Sequence, residues 1–120
     1  MKPILHEKVL ESDNDGVILA ITNGTDLNEL DNLGNSALHW AVMRGDIEIV
    51  KILLEAGADP NVISSDGYTP KWSAVDFDLI EIADVLNEYG GKVITNNNFD
   101  RKSWSVIKGF LGESMPEDEN

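Results

Sequence analysis

Two histidines, His6 and His39, and three short polar runs are the residues in this chain whose types could do chemistry. A histidine pair holds a metal ion only with further ligands, and no third ligand lies at helical spacing from either ring. Ser12-Asp13-Asn14-Asp15-Gly16 carries the carboxylates and glycine of part of a calcium loop. Counted from Glu11, however, the bidentate glutamate such a loop needs at its far end is replaced by Thr22. Gly90-Gly91-Lys92 places a lysine behind glycines, as a phosphate loop does. Leu86 stands where that loop requires its upstream glycine, and Val93 where it requires a hydroxyl for the metal. Asn23-Gly24-Thr25 is formally a glycosylation acceptor. No nucleophile elbow, carboxylate pair or nucleophile–base signature occurs. There is no cysteine to serve as thiolate, disulfide or metal ligand. The expectation is a protein that is not an enzyme, with no cofactor and no metal.

The elements that would position these groups explain most of them away. Between Asp31 and Asn61 the apolar residues fall into two blocks at helical spacing. Ala37, Leu38, Trp40, Ala41 and Val42 form the first, which stops at Gly45. Ile47, Ile49, Val50, Ile52, Leu53 and Leu54 form the second, which stops at Gly57. Asp46 and Glu48 suit the start of a helix, so the pattern predicts two short antiparallel helices joined by a tight turn. A shift of 33 residues tests for repetition. Segment 64–94 then agrees with 31–61 at nine of 31 positions, and segment 3–28 with 36–61 at eight of 26. Chance would give roughly one or two. On this register the calcium-like run falls on the turn at Gly45-Asp46, and Gly90-Gly91-Lys92 on the helix end at Gly57-Ala58-Asp59. The glycosylation sequence lies in the same kind of turn.

The residues that recur resemble a known unit. Asp31, Gly34, Ser36-Ala37-Leu38-His39, Ala41, Gly45-Asp46-Ile47-Glu48-Ile49-Val50-Lys51, Leu53-Leu54, Gly57-Ala58-Asp59 and Asn61 together resemble the ankyrin repeat. Asp66-Gly67-Tyr68-Thr69-Pro70 opens a following copy, and Leu5-His6 marks a degraded one before it. The resemblance implies an all-α solenoid of helix–turn–helix units joined by β-turn fingers, with repeats at about 3–30, 31–63 and 64–94. Each helix pair is apolar on two faces, so one pair cannot bury itself and the units must stack. Glu7 and Lys8 stand where the central copy has Trp40 and Ala41, which suits an outward face in water. The same register sets Trp104, Val106 and Ile107 opposite Lys71, Ser73 and Ala74. A helix over about 99–112 is therefore expected as a capping half-repeat, completing a domain over 1–112. The alternative is a detached amphipathic helix, and solenoid ends favour the cap. Residues 113–120 read as a disordered acidic tail. The resemblance also implies that the His39 imidazole bonds across the neighbouring loop, and that His6 does the same near the terminus. Trp72 replaces that histidine in the third copy and Lys71 replaces a buried leucine, a departure expected to weaken the local hydrogen bonds. Trp40 and Trp72 are expected in the core before they contact any ligand.

Charge narrows the partner. Acidic side chains number 22 against nine basic ones, a formal charge of −13. Such a field repels nucleic acids and anionic membranes and speeds the capture of cationic partners. Nothing after Met1-Lys2-Pro3 resembles a signal peptide and no apolar run reaches spanning length, so a cytoplasmic protein, monomeric when free, is expected. The resemblance places partners on a concave face of finger tips and first helices. That assigns Leu33 and Asn35, beside Asn32, from the central finger, then Met43 and Arg44 from the end of its first helix. The next copy supplies Asp66 and Tyr68, beside Ser65, then Asp76 and Phe77; Leu10 and Glu11 are weaker equivalents. Leu33, Met43, Tyr68 and Phe77 next to Glu11, Asp66 and Asp76 have the make-up of an interface hot spot. The function expected is protein binding that masks or inhibits a basic partner, as an immunity protein or antitoxin does with a toxin. The alternative is a passive adaptor.

Overall fold

The alternation of apolar blocks and turns is realised as three antiparallel helix pairs in the computed structural model, which describes residues 4–95. In chain order they are α1 (Ile4–Leu10), α2 (Asn14–Thr22), α3 (Ala37–Met43), α4 (Ile47–Glu55), α5 (Pro70–Asp76) and α6 (Ile80–Glu88). No strand occurs among the described residues. First helices pack in the order α1, α3, α5 and second helices in the order α2, α4, α6, so each pair shelters the next. The expected helix over about 99–112, with Trp104, and the tail over 113–120 lie outside the described residues.

The period of the sequence returns as a period of conformation. Ser12, Gly45 and Asp78 occupy the same turn and all have left-handed backbone, with φ of 56, 72 and 61°. Only Gly45 adopts it without a Cβ penalty. Asp13 and Asp46 follow at the N-caps of α2 and α4, accepting from the Gly16 and Ile49 N–H groups at 2.9 and 3.3 Å. The acidic run at 12–16 is thus a helix start. In the third copy the aspartate stands one position earlier, as Asp78, so Leu79 sits at the N-cap of α6 and makes no side-chain cap. Gly90-Gly91 ends α6, with the Gly91 N–H bonded to the Leu86 carbonyl at 2.8 Å, which is the C-cap turn expected of it.

Equivalent positions fill one continuous core. Leu5 and Leu38, Val9 and Val42, and the set Ala20, Leu53 and Leu86 are all buried. Lys71 completes the first of these series and is buried as well, its ammonium donating to Asn87 Oδ1 at 3.0 Å. The outer face of the first pair is mixed. Glu7 is exposed there and Lys8 half-buried, but Ile4, Ile18 and Leu19 are exposed too.

Candidate protein-binding face

The finger between α2 and α3 is built around one carboxylate. The Asp31 and Asn35 backbones close the turn, with the Asp31 N–H donating to the Asn35 carbonyl at 2.9 Å. Oδ1 of Asp31 then accepts the N–H groups of Leu33 and Asn35 at 3.0 and 3.1 Å, and Oδ2 accepts the Trp40 indole N–H at 2.7 Å. Burial pushes this carboxyl up. The donors from Asn35, Trp40 and Leu33, with His6 nearby, outweigh that and hold it below the ordinary carboxylate value. It is anionic at neutral pH and fixes finger to helix. Ser64 takes the equivalent place in the next finger, where its hydroxyl accepts the Tyr68 N–H at 3.2 Å. The two fingers are tied directly, the Ser65 N–H donating to the Gly34 carbonyl at 2.9 Å. Gly34 has φ of +84°, and a Cβ there would lie 2.5 Å from the Ser65 side chain, so position 34 admits little else.

The two histidines anchor these fingers from behind. His39 is buried, and its Nε2–H donates to the Tyr68 carbonyl at 2.8 Å. Its Nδ1 accepts from Ser36, whose hydroxyl lies at 2.7 Å and whose N–H lies at 3.3 Å, while Ser36 Oγ accepts the His39 N–H at 3.1 Å. Burial holds the imidazole below its ordinary pKa, opposed by the bond to the Tyr68 carbonyl. The ring is therefore a neutral strut. His6 makes the same bond one repeat earlier, to the Asn35 carbonyl at 2.9 Å, but its Nδ1 is buried without a partner. Trp72 ends this series, yet the network is rebuilt rather than weakened. Thr69 Oγ1 donates to the Lys92 carbonyl at 2.6 Å and accepts the Ile94 N–H at 3.1 Å.

The assigned contact residues divide into three groups. Leu33 is 71% exposed at the tip of its finger, and with Leu10, Asp31, Asn32 and Trp40 it lines a hollow of about 100 Å³. Asn35 lies half-buried at the base, its backbone taken up by Asp31 and His6. Tyr68 is half-buried and stacked on Trp72, with ring centroids 5.7 Å apart and planes at 14°. Met43 is half-buried and Arg44 exposed at the end of α3; Asp66 and Asp76 are exposed, and Phe77 is 48% exposed at the end of α5. The hollow round Leu33 does not extend to Met43, Tyr68 or Phe77. Asp31 and Trp40 are the residues that sequence reasoning left out of the site. The signal was present, because an aspartate opening a turn three residues before a glycine folds its side chain onto the following N–H groups. Residues 4–95 hold 17 acidic and five basic side chains, so −12 of the total charge sits on the repeats themselves. Among the described residues no three of His, Asp and Glu converge for a metal, and no helix is long and apolar enough to cross a membrane.

The helix pairs, their fingers and the histidine struts define a solenoid of repeats, and the family comparison agrees. A model of ankyrin repeats in three copies matches residues 5–98, and the chain belongs to the ankyrin-repeat family. It is 40% identical over 62 residues to an ankyrin repeat protein of fowlpox virus (strain NVSL), covering 52% of this chain and 14% of that one. It is 34% identical over 85 residues to an ankyrin repeat-containing protein of Schizosaccharomyces pombe, covering 70% and 40% respectively. Human BCL-6 corepressor-like protein 1 is 45% identical over 65 residues, 54% of this chain and 4% of its own length. The chain thus spans less than half of each of these relatives. Ankyrin repeats form protein–protein interaction modules and are generally non-catalytic.

Proposed function

We propose that this protein binds a basic protein partner along its fingers and first helices and masks that partner's working surface, as an immunity protein or antitoxin does. One observation supports the reading: Leu33 at a finger tip and Phe77 at the end of α5 are exposed apolar side chains on a strongly anionic stack. Neither Leu33 nor Phe77 is taken up by the core, and Glu11, Asp66 and Asp76 are exposed beside or between them in the repeat register. Apolar anchors slow dissociation, whereas the field of the stack accelerates encounter with a cationic surface. Rigid fingers lower the entropy lost on docking. Anionic charge also disfavours nucleic acid and anionic lipid as ligands, and on this reading the protein is cytoplasmic and a monomer when free of its partner.

The test has two parts. The partner is isolated on the tagged chain from native cells and identified by mass spectrometry, and its own activity is then assayed with and without the chain. A basic partner whose activity falls on stoichiometric binding, with an association rate that drops steeply as salt rises, supports the proposal. A partner bound equally fast at all ionic strengths, or one whose activity is untouched, points to the passive adaptor instead.

A further inference from the structure

The second and third helix pairs show what the outer face of the first pair is shaped to receive. Ala37, Ala41 and Ile49 are fully buried, and so are their equivalents Pro70, Ala74 and Ile82 in the next copy. The same positions in the first copy are Ile4, Lys8 and Gly16, which are exposed or half-buried, so the preceding repeat is what covers them elsewhere. Leu19, equivalent to the half-buried Ile52 and the buried Val85, is 61% exposed, and Ile4 is 51% exposed. With Ala20 these residues line a hollow of about 470 Å³, against the roughly 150 Å³ that accommodates benzene. Gly16 deepens it, standing where the later copies have isoleucine. The Lys8 stem passes so close that an added Cβ would lie 2.8 Å from Lys8 Cδ. Ile18 widens the apolar surface at a position where the later copies carry Lys51 and Asp84. A face that met only water would be polar there.

We propose that this end of the stack docks an amphipathic helix of a basic partner, lying across α1 and α2 as a preceding repeat lies across α3 and α4. The surface is separate from the fingers. Register makes the occupant helical, because α3 and α5 receive α1 and α3 at equivalent positions, and α4 and α6 receive α2 and α4. Charge makes it cationic. Residues 4–26 carry five carboxylates, on Glu7, Glu11, Asp13, Asp15 and Asp26, against the one lysine, a net −4. Glu11 holds that lysine in an ion pair at 3.5 Å. A second copy would bring the same −4 into contact with itself, and like charges across an interface are costly. Lysines or arginines flanking an apolar stripe complement the face instead. The stripe that fits a groove between helices recurs at i, i+3 or i+4, and i+7.

Selection on the whole chain of a displayed library of helical peptides, about fourteen residues or roughly four turns long, tests this. Enriched peptides are expected to carry Leu, Ile, Met or Phe at the stripe positions, flanked by Lys or Arg. Leu19→Lys and, separately, Ile4→Lys, both at exposed positions, are expected to weaken them at least about tenfold, whereas Leu33→Asp leaves them unchanged. Amide resonances of the labelled chain are expected to shift at 4–8 and 16–25 and to stay in place at the fingers. Peptides that respond to Leu33→Asp, or to none of these variants, would overturn the proposal while leaving the finger face standing. Enrichment of acidic or uncharged flanks, or of no peptide at all, would overturn it too. So would a free chain that sediments as a dimer and becomes monomeric with Leu19→Lys, because a second copy then fills the face. Contact between the Leu19 methyls and the Trp104 indole in the free chain would do the same, because the chain's own C-terminal stretch then fills it.

Discussion

Replacing His39 with alanine separates the strut reading from simple burial, because His6 supplies an internal control. The His39 ring joins two repeats: Nε2–H to the Tyr68 carbonyl at 2.8 Å on one side, Nδ1 to Ser36 at 2.7 Å on the other. Each bond contributes about 1 kcal/mol net, and the Tyr68 carbonyl keeps the Ser64 N–H at 2.9 Å, so no stranded acceptor adds to the loss. His39→Ala should therefore destabilise the stack by about 2 kcal/mol, a large part of a typical total stability of about 5–15 kcal/mol. His6→Ala loses only the bond to the Asn35 carbonyl, since Nδ1 of His6 has no partner to lose. Its cost should be about 1 kcal/mol smaller. Urea unfolding followed by far-ultraviolet circular dichroism reads both. With a slope near 1.5 kcal/mol per molar urea, the His39→Ala midpoint should fall by about 1.3 M. Loss of the link between the second and third repeats should also broaden the transition, as the third repeat melts first. Equal midpoint shifts for the two variants, or a shift for His39→Ala below about 0.5 M, would refute the reasoning.

Four further outcomes follow from the same contacts. Burial depresses the His39 pKa, so the unfolded chain takes up a proton first; stability is full above about pH 6.5 and declines below it by at most about 1.4 kcal/mol per unit. In His39→Ala that part of the decline should vanish. The Asp31 carboxyl is held below its ordinary value, so its contribution is present above about pH 4 and lost as pH falls through the folded pKa; Asp31→Asn should flatten the acid limb of stability. Asp78→Gly relieves a left-handed aspartate and should raise stability by about 0.5 kcal/mol after the entropy of glycine is set against it, measurable as a higher urea midpoint. Leu53→Ala, in the fully buried core, should cost about 2–5 kcal/mol, whereas Leu33→Ala should leave the midpoint within about 0.5 kcal/mol while weakening partner binding.

Much of this fold was legible because its cause is periodic. The spacing of Leu5, Leu38 and Lys71, or of Gly24, Gly57 and Gly90, recurs every 33 residues, and stacking requires that recurrence. The histidine struts were legible for the same reason, two of them standing in equivalent places. What the pattern concealed is where one repeat departs from another. The leucine at position 79, where the earlier copies have Asp13 and Asp46, leaves α6 without a side-chain cap, which no periodic argument predicts. Thr69 takes over from the absent third histidine by bonding to residues far along the chain, a contact that depends on how the next finger folds back. Exposure of Leu33 and Phe77 followed from their register. The indole bond of Trp40 to Asp31 did not, because it crosses from finger to helix through side chains whose rotamers the sequence leaves open.

Amide hydrogen exchange on the complex with the purified partner tests most directly that the partner lies across fingers and first helices. Protection gained at 31–35, 43–44, 64–68 and 76–77, with α4 and α6 unchanged, is the result this account predicts. Protection confined to the second helices, with Leu33 and Phe77 exchanging as in the free chain, would contradict it.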